Sequence, residues 1–133
     1  MGREITARLE DVEPKVSKHR EGGLTWNLIG EHGEGMWVHV MKMPPGETSE
    51  AHYHEVDQFQ IVISGSAVMA GHEEMLPGTV HYTDAGTPYG PFTAGPDGLV
   101  LMVIRPKADG KGKRIPTRTV IDKVKAAQVA ARS

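Results

Sequence analysis

Two histidines one residue apart, His52 and His54, are followed closely by Gln58 and Gln60 in GETSEAHYHEVDQFQIVISG, residues 46–65. In an extended segment residues two apart point to one face, with backbones roughly 6–7 Å apart. Two imidazole nitrogens so placed can converge on one ion about 2.0–2.1 Å from each. Gln58 is the next polar residue able to face them. Its amide oxygen can coordinate, but it brings no negative charge. Gln60 shares the face of Gln58, and both interrupt an apolar strand. A buried amide costs about 1–3 kcal/mol unless a metal, water or ligand pairs with it. For all four residues the alternative is an exposed strand face.

The elements that must carry these side chains read as strands. The 16 glycines and 9 prolines punctuate the chain at short intervals, as in an all-β fold rich in turns and unlike a helix bundle. LTWNLIG (24–30) and MWVHVMKM (36–43) are strands, and alternation in the second places Trp37, His39 and Met41 on one face. After PPG (44–46) come the extended AHYHE and QFQIVISG, then SAVMAG and EEMLPG as a pair of short strands meeting around Gly71. TVHYT, the turn DAG and TPYGPF lead into a loop, TAGPDG. If TVHYT and TPYGP form a simple hairpin, His81 lies opposite Tyr89 and both share a face. LVLMVIRP (99–106) suits a strand buried on both faces. Such spacing means a sandwich or barrel.

The expected organisation is one domain over 1–133, with a barrel core at about 24–106 and peripheral arms at 1–23 and 107–133. In the second arm KADGKGKR reads as a solvated loop. A short C-terminal helix is expected over TVIDKVKAAQVAAR, with Thr119 as N-cap and a thin stripe of Val120, Val124 and Ala127, so that it is either loosely docked or completed by a partner subunit. The formal net charge of -2 gives no basic groove for nucleic acid, and no apolar run is long enough to span a bilayer. There is no cysteine, so disulfides and thiolate zinc sites are excluded. The polar amino terminus lacks the apolar centre of a secretory signal, and a cytoplasmic protein is expected.

The stretch from Gly46 to Gly65 resembles the first motif of the cupin superfamily, G-x5-H-x-H-x3,4-E-x6-G, with Gln58 in place of glutamate. A degenerate second motif, G-x5-P-x-G-x2-H-x3-N, starts at Gly78. Asp84 then takes the proline position, Gly86 the glycine, Tyr89 that of the third histidine and Thr93 that of the asparagine. Another register, pairing LPG with His81, would supply a third histidine instead. The resemblance covers roughly residues 36 to 105. It implies a jelly-roll β-barrel with a ligand cavity, often a homodimer, and one divalent transition metal (Fe, Mn, Ni or Zn) held by His52, His54 and Gln58. Tyr89 would occupy the remaining position. A phenol with its ordinary pKa of about 10 binds as phenolate only when a metal lowers that value.

The function expected on this basis is a small-molecule enzyme. Its metal would polarise a carbonyl or enolate oxygen, Tyr89 or His81 would serve as general acid or base, and Gln60, Trp37 and His39 would line the substrate cavity. Isomerisation, lyase or oxygenase chemistry on a small oxygenated substrate all fit. One alternative is a non-catalytic or metal-free barrel that binds a small ligand. Another is metal-free catalysis by an acid–base cluster of His52, His54, His81 and Tyr89. His19, His32 and His72 read as solvated. Arg105, beside Pro106, reads as half of a surface salt bridge, with contact to an anionic substrate as the alternative.

Overall fold

In the computed structural model, residues 2–18, 21–33, 35–108 and 113–114 are described. The helix expected from Thr119 onward and His19 lie outside them. The strands are β1 (Lys15–Val16), β2 (Leu24–Ile29), β3 (Trp37–Met43), β4 (Thr48–Ser49), β5 (His52–Tyr53), β6 (Gln58–Met69), β7 (Glu74–Met75), β8 (Val80–Thr83), β9 (Phe92–Arg105) and β10 (Lys113–Arg114). Eight of them form a sheet in the order β1-β2-β3-β9-β6-β7, with β4 also on β9 and β8 also on β6, while β10 pairs with β5. Every pairing is antiparallel. This is the all-β architecture expected of a jelly-roll barrel. Among the described residues no helix is long and apolar enough to cross a membrane.

Three local expectations change. QFQIVISG and the SAVM that follows are one strand, β6, and TAGPDG is part of β9 and not a loop. The two long strands can run on because each has a glycine where their backbones come close. A Cβ on Gly65, at φ 72°, would lie 2.1 Å from the carbonyl oxygen of Gly98. The pairing jumps there from Gly65–Leu99 to Ala67–Ala94, so residues 95–98 drop out of this ladder. Pro96, which has no N–H to donate, therefore breaks nothing. The third change is the hairpin. β8 pairs with β6, and Tyr89 instead bridges to His52 through N–H···O bonds of 3.0 and 3.1 Å in both directions.

The ladder sets which side chains meet. His39 is level with Val103, Val103 with Gln60, and Gln60 with His81, so one row crosses β3, β9, β6 and β8. Trp37 is level with Arg105 at the end of the next row. Deeper in, Met43, Val62, Ala67, Met69, Met75, Phe92, Leu99 and Leu101 form the apolar core. A register shift in β6, from Val62–Leu101 to Ser64–Val100, inserts one extra residue on that strand. Gln58, Gln60 and Val62 before the shift, and Ala67 and Met69 after it, are all buried.

Candidate functional site

The Tyr89–His52 bridge carries the first part of the site. It holds the Tyr89 hydroxyl 2.9 Å from His52 Nε2, while His52 Nδ1 lies 2.8 Å from the carbonyl oxygen of Glu50. A carbonyl only accepts, so Nδ1 carries a proton; in the neutral ring Nε2 is then the acceptor for the Tyr89 hydroxyl. The same hydroxyl accepts from Gln60 Nε2 at 3.2 Å, and Gln60 Oε1 faces His81 Nδ1 at 3.0 Å. One connected series of hydrogen bonds thus runs from the Glu50 carbonyl through His52, Tyr89 and Gln60 to His81. The rings of His81 and Tyr89 are 5.6 Å apart. Burial, and secondarily the charge of nearby His72, lowers the pKa of His81 below its ordinary 6.5, keeping it mainly neutral at neutral pH.

The second part is built around Arg105, the last residue of β9. Its side chain is turned inward, and the residue is only 6% exposed. Nε donates to Gln58 Oε1 at 3.0 Å and Nη2 to His54 Nε2 at 3.0 Å. A guanidinium only donates, so His54 Nε2 must be the unprotonated acceptor. The guanidinium carbon lies 5.1 Å from the centre of the Trp37 ring, within range of a cation–π attraction. Gln58, fully buried, directs its Nε2 amide to no hydrogen-bond partner among the described residues, leaving a donor for an incoming oxygen.

Most of the residues singled out in the sequence are therefore brought together. His52 and His54 have ring centres 5.0 Å apart, Gln58, Gln60 and Tyr89 are linked to them directly or through one neighbour, and His81 through two. The Trp37 and His39 rings lie 4.2 Å apart at a tilt of 32°, with the Trp37 indole N–H donating to Asn27, and Trp37 lies against Arg105. His32 and His72 are exposed, as expected. Arg105 is the correction: it is no surface residue but a buried cation between motif side chains. One signal was present, since it continues the alternation of inward Leu101 and Val103.

The donor set can be tested against a divalent ion. Among the described residues no group of three or more histidine or acidic side chains is gathered to hold a metal. His54 Nε2 and Gln58 Oε1 already accept from Arg105, and His52 Nε2 already accepts from the Tyr89 hydroxyl. An ion at these atoms would also sit against a guanidinium, with no carboxylate in the set to offset the repulsion. As arranged, these residues do not fit a divalent metal unless Arg105 moves.

A cupin domain family model matches residues 39–105, half of the chain. Solved structures of similar fold include the polyketide cyclase RemF from Streptomyces resistomycificus, 19% identical, covering 91% of this chain and 90% of that one at a TM-score of 0.69. KdgF from a Halomonas species is 20% identical over 80% of this chain and 97% of its own, at 0.65. A predicted oxalate decarboxylase from Thermotoga maritima is 19% identical over 78% and 100%, at 0.58. At these identities the likeness is one of fold. No curated protein matches the sequence.

Proposed function

The chain belongs to the cupin family, and from that premise we propose that it is an enzyme moving a proton on a small oxygenated molecule, in isomerisation or lyase chemistry. The observation that carries this reading is the Tyr89 hydroxyl donating to His52 Nε2, inside the series that starts at the Glu50 carbonyl. As Tyr89 takes a proton from a substrate carbon, its own proton passes to His52, whose Nδ1–H is already held by the carbonyl. The reverse step returns the proton elsewhere on the substrate. Such positioned acid–base groups contribute roughly 10²–10⁴-fold in rate. Charge developing on a substrate oxygen meets the Gln58 amide N–H and the field of Arg105. His81, kept neutral by burial, steadies Gln60 and through it the tyrosine.

The test is solvent exchange. Small keto acids and β-diketones are incubated with the protein in D₂O, and loss of carbon-bound protons is followed by NMR. The wild-type chain is expected to catalyse exchange, and Tyr89→Phe to lose about 10²–10⁴-fold of it. Exchange at the wild-type rate in Tyr89→Phe would sink this reading. Bound probe without any exchange would leave a barrel that only binds its ligand.

The assembly is proposed to be a homodimer. Phe59, Val80 and Tyr82 are 46%, 57% and 47% exposed on the outward side of the sheet. Phe59 and Tyr82 border an apolar groove of about 350 Å³ together with Met36, Ile104 and Pro106. A second copy of the chain would cover this face.

A further inference from the structure

Three atoms of the first motif would hold a metal: His52 Nε2, His54 Nε2 and Gln58 Oε1. In this structure each has a hydrogen to accept, and two of the three hydrogens come from one guanidinium. We propose that Arg105 is the resident cation of the site, standing in for the divalent ion that such a motif would otherwise hold. The Gln58 amide agrees with that role. Replacing a carboxylate by an amide removes one negative charge, and this costs a dication about twice the Coulomb attraction it costs a guanidinium. The tyrosine at the third histidine position agrees too, since it donates to His52 where an imidazole would have offered another lone pair to an ion. Trp37, level with Arg105 across the β3–β9 ladder, places its ring face against the guanidinium and helps fix it.

A guanidinium differs from a metal in ways that matter. It does not exchange with solvent, has no open coordination positions, and acts by donating hydrogen bonds in a plane. The inference concerns the same site as the proposed proton transfer but does not depend on it. Should Tyr89 prove idle in exchange, the cation would still be in place.

Metal titration tests it without reference to activity. Co²⁺ and Zn²⁺ are titrated into the wild-type chain, Arg105→Met, Gln58→Glu and the double variant, by calorimetry and by the visible spectrum of bound Co²⁺. Arg105→Met is expected to gain at least tenfold in affinity over wild type at a site lost again on adding His52→Ala. Gln58→Glu alone, although it restores the motif's glutamate, is expected to gain less than tenfold, because the new carboxylate pairs with Arg105. The double variant is expected to bind most tightly. One equivalent of ion bound by wild type as tightly as by Arg105→Met would overturn the proposal. So would a tenfold or greater gain in Gln58→Glu with Arg105 present. If Arg105→Met loses its native circular dichroism, the comparison of Gln58→Glu with wild type decides the matter.

Discussion

The two ends of the inward face of β6 have opposite characters. At one end Gln58 and Gln60 bond to Arg105, Tyr89 and His81. At the other, Val62, Ala67 and Met69 belong to the apolar core with Leu99, Leu101 and Phe92. The contrast divides the work. Apolar burial favours folding in proportion to the area removed from water, whereas each amide or guanidinium taken inside returns only the small net gain of a satisfied hydrogen bond. Stability should therefore reside at the apolar end, and the polar end should be held for what it does to a ligand.

The largest expected effect lies in the core. Leu101→Ala is expected to lower unfolding free energy by about 2–5 kcal/mol in urea denaturation, because it leaves a cavity among fully buried neighbours. A loss below about 1 kcal/mol would mean that the two ends are not so different. Tyr89→Phe, at the polar end, is expected to cost only about 1 kcal/mol in the same measurement, the net worth of its hydrogen bonds. Its large effect should fall on proton exchange.

A smaller effect distinguishes the ends by pH. The folded chain lowers the pKa of His81 below 6.5. On unfolding the side chain recovers its ordinary value, so between the two pKa values the unfolded state binds more protons. The stabilising contribution is therefore complete above about pH 6.5 and is lost as the pH falls through that value toward the lowered one. Melting temperatures measured across pH 7.5 to 4.5 (a range chosen to bracket about 6.5) should show a fall that is shallower in His81→Asn. The least effect on folding is expected outside. Phe59→Ser should change monomer stability by about 0.5 kcal/mol or less, yet shift sedimentation from dimer toward monomer if a second copy covers that face.

Much of this division was legible in the sequence. The alternation in QFQIV placed Gln58 and Gln60 on one face, and the His-x-His spacing and Tyr89 identified side chains that do meet. The environment of Arg105 was not legible. A charge at the end of an apolar run is buried only where acceptors are waiting, and its acceptors, Gln58 and His54, lie 47 and 51 residues away in the chain. Nor did local turn signals reveal that TAGPDG stays within a strand. Its proline and glycines are harmless only because the partner strand shifts register beside them. Both misreadings concern what lies across the ladder, which a local window does not contain.

The extra residue in β6 between Val62 and Ser64 has a further consequence. Inward positions are even-numbered before it (58, 60, 62) and odd-numbered after it (67, 69). The strand therefore behaves like a message with one inserted symbol, in which either half is correct only relative to its own count. Deleting Ile63 would bring the halves into a single count, with Gln58, Gln60, Val62, Ala67 and Met69 all on one face of an unbroken alternation. With Ile63 kept but the bulge ironed out, a choice would be forced. If Ala67 and Met69 stayed inside, Phe59 and Ile61 would turn inward and both glutamines would face the solvent. If the glutamines stayed, Val68 and Ser66 would replace the core residues. The site and the core share one face because one residue is left out of the ladder between them.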